Sequence, residues 1–350
     1  MESLRTLPKA VLHDHLDGGL RPETIVELAD EYGYQGLPTH DADELRRWFL
    51  QGDSGSLEAY LQAFDHTVSV MQTREALERV AFEAILDHAA DGVVYAELRF
   101  GPSLHTRRGL SRHEAIEAVL AGVSRGMAQT DVAAGVIVSA LRQEEDSLAV
   151  AEAAADFVGA GLIGFDLAGP ERGFPPDAHL AAFTVARRAG LGLTIHAGEG
   201  DGPHSIWRAL SSCAAQRIGH GVRIVEECIV DSQGSITKLA PLAARVRDHR
   251  VPLEVSMTSN LHTGLWPDAE HHPIGALYQA GFAVTINTDN RLMSGITMTD
   301  EFSSLVDSQG FTTTDLLTCT MVALDSGFGD YDQRRRIRDE VVRPAYADAI

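Results

Sequence analysis

The 350-residue chain has few lysines, few cysteines and little positive charge. Its formal net charge is −21 at pH 7. This charge argues against a nucleic-acid or anionic membrane partner, because surfaces that bind phosphates need clustered Lys and Arg. A small neutral or cationic substrate is compatible with it. The three cysteines, Cys213, Cys228 and Cys319, lack metal-site spacing and are typical of reduced thiols in a cytosolic protein.

Long apolar runs and linkers are also absent from the sequence. No run approaches the roughly 20 residues of a membrane-spanning helix, and the opening MESLRTLPKA lacks the apolar core of a signal peptide. We therefore expect a soluble, cytoplasmic protein. Because repeats, low-complexity tracts and Pro/Ser-rich linkers are missing too, residues 1–350 are expected to form a single domain, for which a hydrophobic content of 44% supplies enough core.

Short apolar runs alternate along the chain with longer segments in which apolar residues recur every three or four positions, a pattern of strands and amphipathic helices. Eight such strands predict an α/β fold, the (β/α)8 TIM barrel, and leave a doubly wound open sheet as the alternative. Helical patterns within 21–80 and from about 312 onward predict extra helices after the first strand and at the C-terminus. The predicted strands are residues 10–16, 93–100, 133–141, 163–169, 192–198, 217–221, 251–256 and 282–289.

Residues that can bind a metal stand at the ends of four predicted strands. His13 and His15 end the first strand, and residues two apart in a strand point to the same side. His196, His220 and Asp289 end the fifth, sixth and eighth strands. Taken singly, each has an ordinary structural interpretation, such as a hydrogen-bonded histidine or a helix N-cap at Asp289. Together they favour a metal site, because strand ends converge on one mouth of a barrel.

The preferred ligand set combines three nitrogens and one oxygen: His13, His15, His196 and Asp289. This set suits zinc, with Fe(II) or Co(II) as alternatives. An open position would hold a water whose pKa the metal lowers to about 7. Two-metal hydrolases with a similar pattern commonly bridge their metals with a strand-end lysine carbamate. The two lysines, Lys9 and Lys238, are not placed for this role, so one metal ion per chain is expected.

Six motifs, in order along the chain, resemble those of the adenosine deaminase family, a zinc-dependent branch of the amidohydrolase superfamily: LHDHLDGGL, DLAGPE, TIHAGE, RIGHG, EVSMTSN and TINTDN. The likeness extends from about residue 8 to residue 300. It implies one zinc ion per chain and hydrolytic deamination of adenosine or 2′-deoxyadenosine to inosine or deoxyinosine plus ammonia. The family's metal ligands fall on the same four residues that the strand ends indicate.

The resemblance also implies roles for the other motif residues. Glu199 of HAGE would donate a proton to purine N1, and His220 of RIGHG would orient and activate the metal-bound water. Asp17 would hold the ribose 5′-hydroxyl, and the backbone amide of Gly169 would contact purine N3. Ser259 would orient the aspartate ligand.

The chain departs from the family pattern near the predicted mouth. Asn290 stands where the family usually has a second aspartate that contacts purine N7, and an asparagine amide can still donate a hydrogen bond there. Gly101 and the segment 200–204 differ as well. These departures leave open a modified 6-aminopurine nucleoside, such as aminodeoxyfutalosine, or free adenine as the substrate.

A helical stripe at residues 56–64 has two interpretations. Its apolar members could close over the base as a lid, or pack on the barrel as an ordinary helix. They are Leu57, Tyr60, Leu61 and Phe64.

Two other functional classes fit the sequence less well. An amide or ester hydrolase would have no need of an acid at Glu199, and a non-catalytic barrel would have lost its ligands. The H-x-E and P-C-x-x-C pattern of the other zinc deaminase fold is absent, which argues against deamination of polynucleotides.

Overall fold

The computed structural model describes residues 2–50 and 63–349 and contains one parallel sheet of eight strands with a separate antiparallel hairpin. The sheet order is β1-β2-β3-β4-β5-β6-β9-β10, and β7 pairs with β8. The strands are β1 Lys9–His15, β2 Val93–Phe100, β3 Ala133–Leu141, β4 Leu162–Ala168, β5 Gly192–Ala197, β6 Arg217–His220, β7 Cys228–Val230, β8 Ile236–Leu239, β9 Leu253–Val255 and β10 Val284–Ile286.

The sheet closes into a barrel where the chain just after β10 meets β1. The His15 amide donates to the Asp289 carbonyl at 2.7 Å, and the Asp289 amide donates to the His13 carbonyl at 2.9 Å. Below this bridge, the Asn287 side-chain oxygen accepts from the amides of Leu12 and His13 at 2.8 and 3.1 Å. A side chain therefore replaces part of the backbone ladder at the seam. The predicted (β/α)8 barrel is confirmed.

Helices surround the barrel, and extra helices follow β1 and end the chain, as the sequence predicted. A π-helical segment, Ile337–Val342, joins the last two helices. The helices are Glu2–Arg5, Pro22–Tyr32, Ala42–Phe49, Phe64–Val70, Arg74–Ala90, Arg112–Met127, Ser147–Ala155, Leu180–Ala189, Pro203–Ser211, Pro241–Asp248, Met257–His262, Ile274–Gln279, Arg291–Ser294, Met298–Gln309, Thr313–Ser326, Tyr331–Arg336 and Arg343–Ala347.

Capping residues determine where several helices begin. Ser111 forms a capping box with Glu114, and Thr297 forms another with Asp300. In each box the hydroxyl accepts from a free backbone amide of the first turn while the acid binds back to the cap residue, so two unpaired donors are satisfied. Across residues 2–50 and 63–349, no helix is long and apolar enough to cross a membrane.

Lys9 lies at the end of β1 that is remote from the predicted mouth. Its buried ammonium donates to the carbonyls of Arg5, Leu7 and Asp91 at 3.1, 2.9 and 2.8 Å. Burial lowers the pKa of Lys9 to about 8. This lysine therefore caps the closed end of the barrel, and Lys238 lies in the β7–β8 hairpin.

Candidate metal and substrate site

A cleft of about 970 Å³, measured to its open mouth, lies at the C-terminal ends of the strands. Chemistry in this fold is carried out at that face, where the strand ends converge. Polar side chains from β1, β5, β6 and the segments after β5 and β10 line it: His15, His196, His220, Glu199 and Asp289.

Imidazole nitrogens and one carboxylate form a compact donor cluster in this cleft. The potential ligand atoms of His13, His196, His220 and Asp289 all lie within 4.8 Å of one another. His15 joins them, since its Nε2 lies 3.3 Å from His13 Nε2 and 3.2 Å from His196 Nε2. The Asp289 Oδ1 atom lies 3.2 Å from His13 Nε2 and 3.4 Å from His15 Nε2. The structure thus brings all five strand-end residues together.

The backbone is strained at two members of the cluster. His220 and Asp289 both have φ of 58°, a left-handed conformation that costs a non-glycine residue about 1–2 kcal/mol. Next to His220, Gly219 allows His13 and His196 to approach its backbone closely. A Cβ at Gly219 would lie 3.1 Å from His196 Cα and 3.2 Å from His13 Cε1. Strain of this kind persists only where the surrounding structure enforces it, and it is concentrated at functional sites.

Two buried carboxylates stand behind two of the histidines. His13 Nδ1 lies 3.0 Å from Glu254 Oε2, and His196 Nδ1 lies 3.0 Å from Asp166 Oδ1. Although burial favours the protonated acid, the guanidinium of Arg99 helps to hold the pKa of Glu254 well below its usual range. An ionised carboxylate requires a proton on the facing Nδ1, so the Nε2 lone pairs of both rings point into the cluster.

Behind the cluster, buried acidic and basic side chains form one hydrogen-bonded network. Arg217 bridges Glu97 and Glu254, with both nitrogen–oxygen distances at 2.6 Å, and Arg99 donates to Glu254 at 2.8 Å. The two arginines and two glutamates of this network are all buried.

Glu199 is a buried acid at the edge of the cluster, with Oε2 3.5 Å from His220 Nε2. Burial, followed by the negative charges of Asp289 and Glu171, raises the pKa of Glu199 well above its usual range. The protonated form is therefore favoured.

The loop that carries Glu199 is held by one buried carboxylate. Glu171 accepts from the backbone amides of Gly198, Glu199 and Asp201 at 2.7, 3.0 and 3.0 Å. Three bonds to one ionised acceptor fix the loop more firmly than neutral hydrogen bonds would.

Asp17 and Asn290 lie together on one side of the cleft. Burial raises the pKa of Asp17 to about 7, and its Oδ1 atom has no hydrogen-bond partner among residues 2–50 and 63–349. Gly18 makes room for Asn290, because a Cβ on Gly18 would lie 2.1 Å from Asn290 Oδ1. A buried polar atom that faces a cleft without a partner is suited to binding a ligand group.

Three further predicted residues, Ser259, Gly169 and Phe64, adjoin the cleft or the cluster. Ser259 Oγ donates to Asp289 Oδ2 at 2.6 Å. Gly169 lines the cleft with φ of 93°, a conformation that favours glycine. Phe64 and Val68 contribute to an apolar wall. Three of the four predicted lid residues fall outside the residues that the structure describes: Leu57, Tyr60 and Leu61.

Sequence reasoning missed the residues that support the cluster. Asp166, Glu171 and Glu254 lie in or beside the same strand-end motifs, and a charged residue inside a buried strand was the available signal. Their partners could not be assigned, because His13 and Glu254 are 241 residues apart in the chain.

Comparisons with known proteins agree with this geometry. The family model described as Adenosine deaminase matches residues 8–344. A protein named adenosine deaminase, from Mycobacterium ulcerans, is 48% identical, and the alignment covers 100% of this chain and 98% of that protein.

Two solved structures share the fold over nearly the whole chain. An adenine deaminase from Arthrobacter aurescens has a TM-score of 0.84 at 26% identity, covering 97% of this chain and 98% of the other. An amidohydrolase from Burkholderia ambifaria with bound zinc has a TM-score of 0.85 at 25% identity, covering 99% and 93%. Because the family model and the alignment with this relative both cover almost the whole chain, the chain belongs to the adenosine deaminase family.

Proposed function

We propose that the protein is a zinc-dependent deaminase that hydrolyses adenosine and 2′-deoxyadenosine to inosine and deoxyinosine with release of ammonia. The observation that carries the proposal is the placement of a metal-donor cluster and a buried acid in one cleft. A purine C6 needs a nucleophilic oxygen on one side and a proton donor at N1, and the cleft offers a group for each.

The donor cluster fits a zinc ion held by His13, His15, His196 and Asp289. Two nitrogen ligands of tetrahedral zinc, each roughly 2.0–2.1 Å from the metal, lie about 3.4 Å apart. The closest donor–donor distances in this set, 3.2–3.4 Å, agree with that spacing. Imidazole lone pairs that face each other this closely repel unless a cation lies between them. We infer one zinc ion per chain.

The buried acid of the cluster also suits a divalent cation. The Asp289 carboxylate is buried beside the Nε2 atoms of His13 and His15. Buried charges are tolerated only when they are paired or coordinate a metal.

When bound, zinc would lower the pKa of a coordinated water to about 7 and so supply hydroxide at neutral pH. The protein's own groups perform the remaining steps. Glu199 would donate its proton to purine N1 as negative charge develops there, which lowers the barrier to attack at C6. His220, 3.5 Å from Glu199, would orient the attacking oxygen.

The cleft favours a nucleoside over a free base or a nucleotide. Asp17 would accept a hydrogen bond from a sugar hydroxyl. Bound adenine, which has no sugar, would leave the buried Asp17 Oδ1 atom unpaired. A 5′-phosphate would place an anionic group beside the Asp17 carboxyl. Asn290 would donate to purine N7, and the Gly169 amide would contact N3. The relative that is 48% identical is named for adenosine, which favours the same choice.

Phe64, which lines the cleft, would help to exclude water from it, and Ser259 would orient Asp289. We infer one catalytic domain over residues 1–350, because the strands of the single sheet come from residues 9 to 286.

The test is a spectrophotometric assay of adenosine loss together with an assay of ammonia release, with adenine and AMP as comparison substrates. We expect the highest kcat/KM for adenosine or deoxyadenosine and about one zinc per chain by metal analysis. Inactivity of the zinc-loaded protein on every 6-aminopurine nucleoside would refute the proposal.

A further inference from the structure

His220 differs from the other central histidines in what stands behind its ring. His13 and His196 turn their Nδ1 atoms to carboxylates. His220 Nδ1 instead lies 3.1 Å from the side-chain amide nitrogen of Asn260. The direction of that hydrogen bond decides which nitrogen of His220 carries the proton.

The direction is set by a second buried histidine, His272. The backbone amide of Ile274 lies 3.3 Å from His272 Nδ1. A backbone N–H can only donate, so this Nδ1 is an unprotonated acceptor and the ring proton resides on Nε2. His272 is almost fully buried, and burial lowers its pKa to about 3, so the ring is neutral at pH 7.

Only one orientation of Asn260 satisfies both neighbours. His272 Nε2 lies 3.2 Å from Asn260 Oδ1 and donates to it. The Asn260 amide nitrogen then faces His220 Nδ1 and donates in turn. If the amide were flipped, its NH2 group would face His272 Nε2. That nitrogen carries the ring proton, because an imidazole ring cannot have both nitrogens unprotonated, so two donors would face each other.

We propose that Asn260 and His272 are positioning residues that hold His220 in the tautomer with its proton on Nε2. His220 is then a hydrogen-bond donor towards the reacting oxygen, and its Nε2 has no free lone pair for the metal. This separates its role from those of His13 and His196. The inference rests on the proposed deaminase function for its catalytic consequence, and on hydrogen bonding alone for the tautomer.

Two substitutions should invert the tautomer, of which Asn260→Asp is isosteric. In Asn260→Asp the amide donor becomes an acceptor, which favours a proton on His220 Nδ1. In His272→Glu the new carboxylate accepts from Asn260, so the amide turns over and presents its oxygen to His220. His272→Gln keeps a donor at that place. His271→Gln is a matched control, since His271 is the exposed neighbour of His272.

The tautomer is measured by long-range ¹⁵N–¹H NMR on the purified protein labelled at histidine nitrogen, and His220→Gln identifies the His220 signals. We expect a protonated Nε2 in the wild type, His272→Gln and His271→Gln, and a protonated Nδ1 in Asn260→Asp and His272→Glu. In zinc-loaded enzyme, the inverted variants should lose kcat by about 100- to 1,000-fold, the effect of removing one preorganised donor, with little change in KM.

A protonated Nδ1 in the wild type would overturn the inference, as would an Asn260→Asp variant that keeps wild-type kcat. If the buried carboxylate of His272→Glu prevents folding, the spectra of the wild type and of Asn260→Asp still decide whether Asn260 sets the tautomer of His220. The spectra do not depend on turnover. The predicted tautomer in a protein inactive on adenosine would therefore refute the proposed function and leave the positioning role intact.

Discussion

Glu171→Gln tests whether one carboxylate holds the catalytic loop. Glu171 Oε1 accepts one backbone amide and Oε2 accepts two. A glutamine offers one acceptor oxygen and turns an NH2 group towards the remaining amide. At least one charge-assisted hydrogen bond is lost, and one amide is left facing another donor.

The expected effect follows from the strength of that bond. A hydrogen bond to a charged group contributes about 1.5–3 kcal/mol net. If this free energy is lost from the positioning of Glu199 in the transition state, kcat/KM for adenosine should fall roughly 10- to 150-fold, since each 1.36 kcal/mol corresponds to a tenfold change in rate. Removing the charge of Glu171 should also lower the pKa of Glu199, because Glu171 helps to raise it. The alkaline limb of the pH–rate profile should therefore move to lower pH.

The assay is the pH dependence of kcat/KM, with Tm measured on the same samples. Glu145→Gln makes the same charge change at an exposed position and should leave the profile unchanged. Wild-type kcat/KM and an unshifted alkaline limb in a folded Glu171→Gln variant would refute the reasoning.

Four further predictions concern the metal and the sugar. Asp17→Ala should raise KM for adenosine about tenfold, because one hydrogen bond to a buried carboxyl group is lost, while metal analysis shows unchanged zinc. Loss of zinc would contradict the assigned role. Ser259→Ala removes the 2.6 Å hydrogen bond to Asp289 and should weaken zinc binding about 10- to 100-fold, as measured by chelator competition. Unaltered zinc affinity would count against the orienting role of Ser259. Gly219→Ala places a methyl group 3.1 Å from His196 Cα and should cost about 1–3 kcal/mol of stability. The variant should show a lower Tm and a lower zinc content. A wild-type Tm would be inconsistent with the close packing of Gly219 against His196. Chelation should abolish turnover and lower Tm, because a metal that binds only the folded protein stabilises it, and added zinc should restore both. A Tm indifferent to the metal would contradict a zinc ion held in the donor cluster.

Most of the barrel could be predicted because its strands are short, apolar and separated by helices of clear periodicity. The predicted bounds of the second and third strands, 93–100 and 133–141, are those of β2 and β3. The β7–β8 hairpin was not predicted, because its strands are three and four residues long and largely exposed, so they carry little hydrophobic pattern.

The predicted site residues fall on the same cleft for a related reason. A metal ligand can be recognised from its residue type and from its position at a strand end, and both are local features of the sequence. Asn260 and His272 carried no such signal, since neither stands at the end of a sheet strand and their importance depends on which atoms they face.

The sequence by itself determined the order of the eight barrel strands and the helices between them, the residue types available at each strand end, and the family. These follow from periodicity and from motifs a few residues long. Only the tertiary structure decided which group stands behind each histidine: Glu254 behind His13, Asp166 behind His196 and Asn260 behind His220. The physical reason is that such pairs form across the barrel between distant segments, so the curvature and register of the closed sheet, which no local pattern encodes, determine which side chains meet.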